Sequence, residues 1–258
     1  MIFNVFYTSD LPEFVLKDHK ACCEKIGISA RYHEHQLSND FALIYKAHGN
    51  LINQLLESAE ENDIVCMLDI DCLPYSMPDL KTAYNWVREN ESFIGNAQNI
   101  AHTIRRNRIF AAASMLMIHK KAWIKLGKPD LSYSMSGSDE TLIDTAQNIS
   151  LAADDVGYQY RVLLPLGHDD VTASWQLGPI CSYGRGTVYP GTWHFFRISD
   201  LKVSKPEVWE RRVHEILHGK SIEPVYSSLN NYFERFQPFK KRLFNRIKKS
   251  LKRKLLNK

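Results

Sequence analysis

The chain has 258 residues, of which 44% are hydrophobic and 24% charged, with a formal net charge of +4. That length supports one sizeable core and is short for two catalytic domains. The composition is that of an ordinary globular protein, and no apolar run approaches the roughly 18 residues expected of a membrane span.

Ile2 to Tyr7 is apolar, β-branched and aromatic, and it ends at Thr8-Ser9-Asp10, as a strand entering a loop does. Leu11 to Ile26 has helical spacing and stops at Gly27. Ile28 to His35 fits a second strand. Ser38-Asn39-Asp40 then offers a cap for a long helix to about Glu61, with Ile44, His48, Leu51, Ile52 and Leu55 among its periodic positions. Asp63 to Asp69 is the clearest strand, and its unbroken apolar run suits a central position covered on both faces. Met77 to Asn90 reads as a helix, Ser92 to Asn96 as a strand, Ile109 to Ile118 as a strand, and Lys120 to Leu126 as a helix. Ser138 is expected to open a further helix to about Ala153. Tyr158 to Leu164 reads as a strand and Glu207 to His218 as a helix. Residues 166–192 are rich in Gly, Ser, Thr and Asp and are expected to form a long functional loop. Strands alternating with helices imply an α/β sandwich around a mostly parallel sheet, whose ligands gather beyond the C-terminal strand ends.

Asp69-Ile70-Asp71 sits at such an end. In extended backbone, residues two apart point to the same side, so both carboxylates can aim at one point. Two close carboxylates raise each other's pKa unless a cation lies between them, and Mg2+ or Mn2+ satisfies such oxygen ligands. The structural alternative is an Asp pair closing a turn before Pro74.

The run Ile64-Val65-Cys66-Met67-Leu68-Asp69-Ile70-Asp71, after a strand, a helix, a second strand and a long helix, resembles the DxD strand of GT-A-fold glycosyltransferases. The resemblance covers roughly residues 1–200 as architecture. It implies an α/β/α sandwich, with residues 1–220 as a catalytic domain and 221–258 as linker and tail. It further implies that Asp69 and Asp71 hold a divalent cation, Mn2+ or Mg2+, on the diphosphate of a nucleotide-sugar donor. A third metal ligand in part of the family is a later His. His194, in Thr192-Trp193-His194-Phe195-Phe196, is the first choice, and His168, beside Asp169 and Asp170, is its rival. The acidic pair Asp139–Glu140 is the candidate for activating the acceptor hydroxyl, Asp139 before Glu140. Acids in a first helical turn are also explained by the helix dipole alone. Tyr7, Thr8 and Ser9 are candidate nucleoside contacts. Lys46 and Arg185, the latter in Tyr183-Gly184-Arg185-Gly186-Thr187, are candidate phosphate contacts.

Residues 239–258 hold ten Lys or Arg and no acid, leaving 23 basic against 29 acidic residues elsewhere. Leu243, Ile247, Leu251 and Leu255 recur every four residues, which makes a basic amphipathic helix. Such a helix suits an anionic membrane surface. Nucleic acid is the competing partner, and the Leu/Ile stripe favours membrane. Met1 to Val5 carries no basic stretch or cleavage site, so no secretory signal is expected. The five cysteines form no C-x-x-C pair and are expected to be reduced thiols. These features predict a cytoplasmic protein, peripheral on the inner membrane face, and the resemblance implies that it transfers a sugar, there to a glycan or lipid-linked acceptor in surface polysaccharide synthesis. The alternatives are a nucleotidyltransferase or metal-dependent phosphohydrolase using the same Asp pair, and a non-catalytic membrane- or nucleic-acid-binding module.

Overall fold

The alternation of buried and exposed stretches in the first half of the chain builds the central sheet. The computed structural model describes residues 1–36, 41–99, 109–136, 141–169, 174–177, 181–195 and 206–227. Strands β1 (Ile2–Thr8), β2 (Ser29–His35), β3 (Ile64–Asp69), β5 (Phe93–Asn99), β6 (Ile109–His119) and β9 (Arg161–Leu163) form one sheet in the order β2-β1-β3-β6-β5-β9. Only β6 runs against the others. The sheet is therefore mostly parallel, as expected from the sequence.

Helices cover both faces. Cys66 and Leu68 of β3 join a core with Val15, Cys22 and Cys23 of α1 (Glu13–Ile26), Leu80, Ala83 and Val87 of α3 (Met77–Asn90), and Trp209, Val213 and Ile216 of α6 (Pro206–Leu217). Val65 and Met67 point the other way, as residues one step along a strand must. They pack with Ile52 and Leu56 of α2 (Phe41–Ser58), Ala122 and Trp123 of α4 (Lys120–Lys125), and Ile149 and Ala153 of α5 (Gln147–Val156). The result is an α/β/α sandwich.

A second sheet, in the order β15-β10-β13-β14-β4, contains β4 (Cys72–Pro74), β10 (Gly167–His168), β13 (Thr187–Tyr189), β14 (Thr192–His194) and β15 (Tyr226–Ser227). Two hairpins, β7 (Ser134–Ser136) with β8 (Thr141–Ile143) and β11 (Ser174–Leu177) with β12 (Cys181–Gly184), complete the described strands. The chain thus leaves the central sheet at Asp69 and enters the second sheet at Cys72. Ile70 and Asp71 are the crossing point.

Two expectations are corrected. The stretch 166–192, expected as a loop, is largely short paired strands within its described residues. Gly186 (φ +69) and Gly191 (φ +87) take left-handed turn positions, and at Gly186 a Cβ would lie 2.8 Å from the Asp169 side chain. The helix expected from Ser138 starts at Gln147 instead, because Thr141–Ile143 pairs with β7. The turn before the helix is closed by an exchange between Asp144 and Gln147: the Asp144 amide donates to Gln147 Oε1 at 2.9 Å, and the Gln147 amide donates to the Asp144 carbonyl at 3.0 Å. Residues 221–227 pack on the domain, with Ile222 buried and β15 paired to β10.

Candidate metal centre

The crossing between the two sheets converges polar groups that an apolar strand alone would not. Asp71 and His194 are buried, and Asp69 is partly exposed. One ligand atom each of Asp69, Asp71 and His194 lies within 4.8 Å of the others. His194 Nε2 is 3.2 Å from Asp71 Oδ1. This closeness is set by strand pairing: His194 is the register partner of Cys72, and the Phe195 amide donates to the Asp71 carbonyl at 2.8 Å.

Two carboxylates and an imidazole at this spacing fit a divalent cation such as Mn2+. The electrostatics agree with that fit. Burial, then the neighbouring Asp71 charge, raises the Asp69 carboxyl above its ordinary value, with His194 pulling the other way. A bound cation would relieve that repulsion.

The turn rests on a buried polar floor. Asn96 Nδ2 lies 3.3 Å from both Ser114 Oγ and Thr192 Oγ1, and 3.8 Å from Cys72 Sγ, linking both sheets beneath the crossing. His19 of α1 is fully buried, with Nδ1 2.9 Å from the Tyr32 hydroxyl and its ring beside the Asp69 and Cys72 backbone. Burial pushes its pKa down to about 4.

Behind His194, Asp169 organises the second sheet. Its fully buried side chain accepts from Arg212 Nε at 2.9 Å and from Trp193 Nε1 at 3.0 Å, and Arg211 Nη2 lies 3.2 Å away. Arg212, only 2% exposed, also donates to Glu215 Oε2 at 2.7 Å and to the Glu223 carbonyl at 2.6 Å. A buried ion pair of this kind is costly to disturb on one side only.

The other residues singled out in the sequence fall into three groups. Tyr7, Thr8 and Ser9 follow Phe6, which is the register partner of Asp69, so they lie at the same sheet end. The Tyr7 hydroxyl donates to Glu34 at 3.1 Å, and Thr8 Oγ1 donates to Asp10 at 2.7 Å. Arg185 precedes Gly186, whose amide donates to the Phe195 carbonyl at 3.0 Å, so it sits near the His194 corner. His168 and Lys46 are placed elsewhere. His168 pairs with Thr187, which pairs with His194, so it lies two strands from the centre. Lys46 is exposed on α2, and its charge bears on Asp130. Asp139, Glu140, Asp170 and the tail 239–258 lie outside the described residues.

Two polar residues that were not among the sequence's site candidates also stand here. His48, on the buried stripe of α2, has Nε2 3.5 Å from Asp69 Oδ1. Burial lowers its pKa to about 4, against the opposing charges of Asp144 and then Asp71. Asp144 therefore faces the same corner from the start of α5. One signal for His48 was present. It lies four residues before Ile52 on a helix covering β3, as Asp69 lies two residues beyond Met67.

No family model matches the chain, and no curated protein matches it. Among solved structures, galactosyltransferase LgtC in complex with donor and acceptor sugar analogues is 12% identical, covering 87% of this chain and 98% of that one, with a TM-score of 0.47. A mutant of Drosophila β1,4-galactosyltransferase 7, in complex with manganese, UDP-Gal and xylobiose, is 13% identical, covering 86% of this chain and 81% of that one, with a TM-score of 0.38. A Bacillus anthracis protein assigned as a glucose-1-phosphate thymidylyltransferase, in complex with a sucrose, is 10% identical, covering 61% and 65%, with a TM-score of 0.34. Likeness at this distance carries no assignment; the functional reading rests on the chain's own residues.

Proposed function

We propose that the chain is a metal-dependent glycosyltransferase that moves a monosaccharide from a nucleotide-sugar to a glycan or lipid-linked acceptor at a membrane surface. The observation that carries this reading is the meeting of Asp69, Asp71 and His194 at the C-terminal end of β3. A divalent cation held there would neutralise charge developing on a leaving diphosphate. Asp69 and Asp71 would hold and orient it, and His194 would complete the protein's share of its ligands. Tyr7, Thr8 and Ser9, at the neighbouring strand end, suit the nucleoside, and Arg185 suits phosphate.

The acceptor hydroxyl needs a carboxylate within hydrogen-bond reach. Asp139 or Glu140 remains the proposed base. Asp144 is a further choice, because its charge already bears on His48 beside Asp69.

Among the described residues, no helix is long and apolar enough to cross a membrane. The basic stripe of residues 239–258 supports surface attachment to anionic lipid on the cytoplasmic side, where a surface-polysaccharide acceptor would be met. Removing residues 239–258 is expected to abolish cosedimentation with vesicles containing phosphatidylserine, and retention on those vesicles would contradict the attachment.

Incubation with a panel of nucleotide-sugars and Mn2+ tests the activity. The expected result is metal-dependent transfer or slow donor hydrolysis that releases a nucleoside diphosphate and is lost in Asp71→Ala. Release of free pyrophosphate would favour a nucleotidyltransferase instead. No turnover and no nucleotide binding with any donor would contradict both.

A further inference from the structure

The stripes of α2 and β3 run over one another and end in a polar pair. On α2, His48, Ile52 and Leu56 recur every four residues, so they share one face. On β3, Val65, Met67 and Asp69 share the face that α2 covers. The apolar members pack together, and the last member of each stripe is polar: His48 on the helix, Asp69 on the strand.

The His48 ring is held from two sides. It stacks on Phe6, with centroids 4.7 Å apart and planes 10° from parallel. Phe6 is in turn the β1 register partner of Asp69. The next residue, Gly49, packs so closely on the chain that a Cβ there would lie 2.3 Å from Ser132 Cα. Asn53, one turn on, clamps the same segment, donating to Asp130 Oδ1 at 2.7 Å and accepting from the Leu131 amide at 3.1 Å. These contacts fix the helix against residues 130–132, and the stack on Phe6 holds the ring beside Asp69.

His48 Nε2 is buried and has no hydrogen-bond partner, yet it lies 3.5 Å from Asp69 Oδ1. A buried polar nitrogen without a partner costs on the order of 1–3 kcal/mol. A small turn of the Asp69 carboxylate satisfies it. Such a turn would commit one carboxylate oxygen to His48 and leave the other for a cation.

We infer that His48 is a positioning residue of the metal centre, fixing through Nε2–H and its stack on Phe6 which oxygen of Asp69 meets the cation. This rests on the metal-site reading above. Outer partners of metal-bound carboxylates typically change metal affinity by about 10–100-fold when removed.

The test is Mn2+ binding to the full chain, followed by the free-Mn2+ electron paramagnetic resonance signal, beside the melting temperature of each apoprotein. His48→Phe keeps a ring on Phe6 and removes the donor. It is expected to weaken Mn2+ binding about 10–100-fold while melting near the wild type. His48→Gln restores an N–H donor and is expected to recover part of the affinity. Should the phenylalanine variant not fold, His48→Leu makes the same comparison. Wild-type affinity in the donor-less variant, or equal losses in the Gln and donor-less variants, overturns the role of His48. A wild-type chain that binds no Mn2+, or an Asp71→Ala chain that binds it equally well, overturns the metal centre itself. Binding lost in Asp71→Ala but kept in His48→Phe overturns only the inference about His48.

Discussion

The two sheets that meet at Asp71 are built by different physics. The central sheet is held by apolar stripes, with β3 covered on both faces by helices. The second sheet has short strands of two or three residues, shares the apolar core through Leu73, Val188 and Trp193, and is further pinned by a buried polar group, Asp169 with Arg212 and Trp193. The central sheet supplies Asp69 and its neighbour His48. The second sheet supplies His194 and anchors the Asp71 carbonyl. A metal centre on this seam requires both, so each half can be loosened separately and its contribution read.

The largest effect on stability is expected on the polar side. Arg212→Leu leaves Asp169 buried without its main partner and should cost about 3–5 kcal/mol, measured by urea unfolding. Because Trp193 shares Asp169 and adjoins His194, Mn2+ affinity should fall with it. The double replacement Asp169→Leu with Arg212→Leu should recover much of the stability, since the pair is then absent rather than broken. A single variant as stable as the wild type would refute the view that buried charge holds this sheet.

Acid acts next, through His19. Its pKa is depressed to about 4 by burial, from 6.5 unfolded. The unfolded chain therefore binds more protons between these values, and the stability is present above pH 6.5 and lost toward pH 4. The loss should reach roughly 3 kcal/mol from this residue. His19→Asn should flatten that part of the stability profile, and an unchanged slope would contradict a neutral buried His19.

On the apolar side, Gly49→Ala forces a Cβ into the Ser132 backbone. It should destabilise by about 1–3 kcal/mol and shift His48, seen as a lower melting temperature. A neutral result would mean that α2 is not clamped there.

The smallest effect is a difference between pH values. Asp69 has a folded pKa raised above its ordinary 3.8, so in the apoprotein its contribution to stability falls as pH rises through that window. A cation must displace the Asp69 proton, so the melting-temperature rise caused by Mn2+ should be larger at pH 7.5 than at pH 5.5. An equal rise at both would remove Asp69 from the ligand set.

The two regions also differed in how far they could be read from sequence. Apolar periodicities made α1 to α4 and β1, β2, β3, β5 and β6 legible, whereas β4 went unread beside Pro74, and Met77–Asn90 matches its expected bounds. The short strands of 166–192 carry too few residues for alternation to show, so their polar, Gly-rich composition read as a loop. The start of α5 was misplaced because Asp139 and Glu140 mimic a first-turn signal, whereas the start lies at the Asp144–Gln147 exchange. At the site, Asp69 and Asp71 were legible from the strand before them. His194 was legible only through the family resemblance, since its approach to Asp71 depends on pairing between β14 and β4 across more than a hundred residues. His48 was hidden because a histidine on an apolar stripe looks like part of the core until the strand beneath it is known.

The central claim is that Asp69, Asp71 and His194 form a cation site for a nucleotide diphosphate. Titration of Mn2+ into the full chain, with and without a nucleoside diphosphate, tests it most directly. One Mn2+ is expected per chain, bound more tightly when the diphosphate is present and at least about 100-fold more weakly in Asp71→Ala, the upper end of what losing an outer hydrogen-bond partner alone causes. Absence of Mn2+ binding, or binding that Asp71→Ala and His194→Ala leave unchanged, would contradict it.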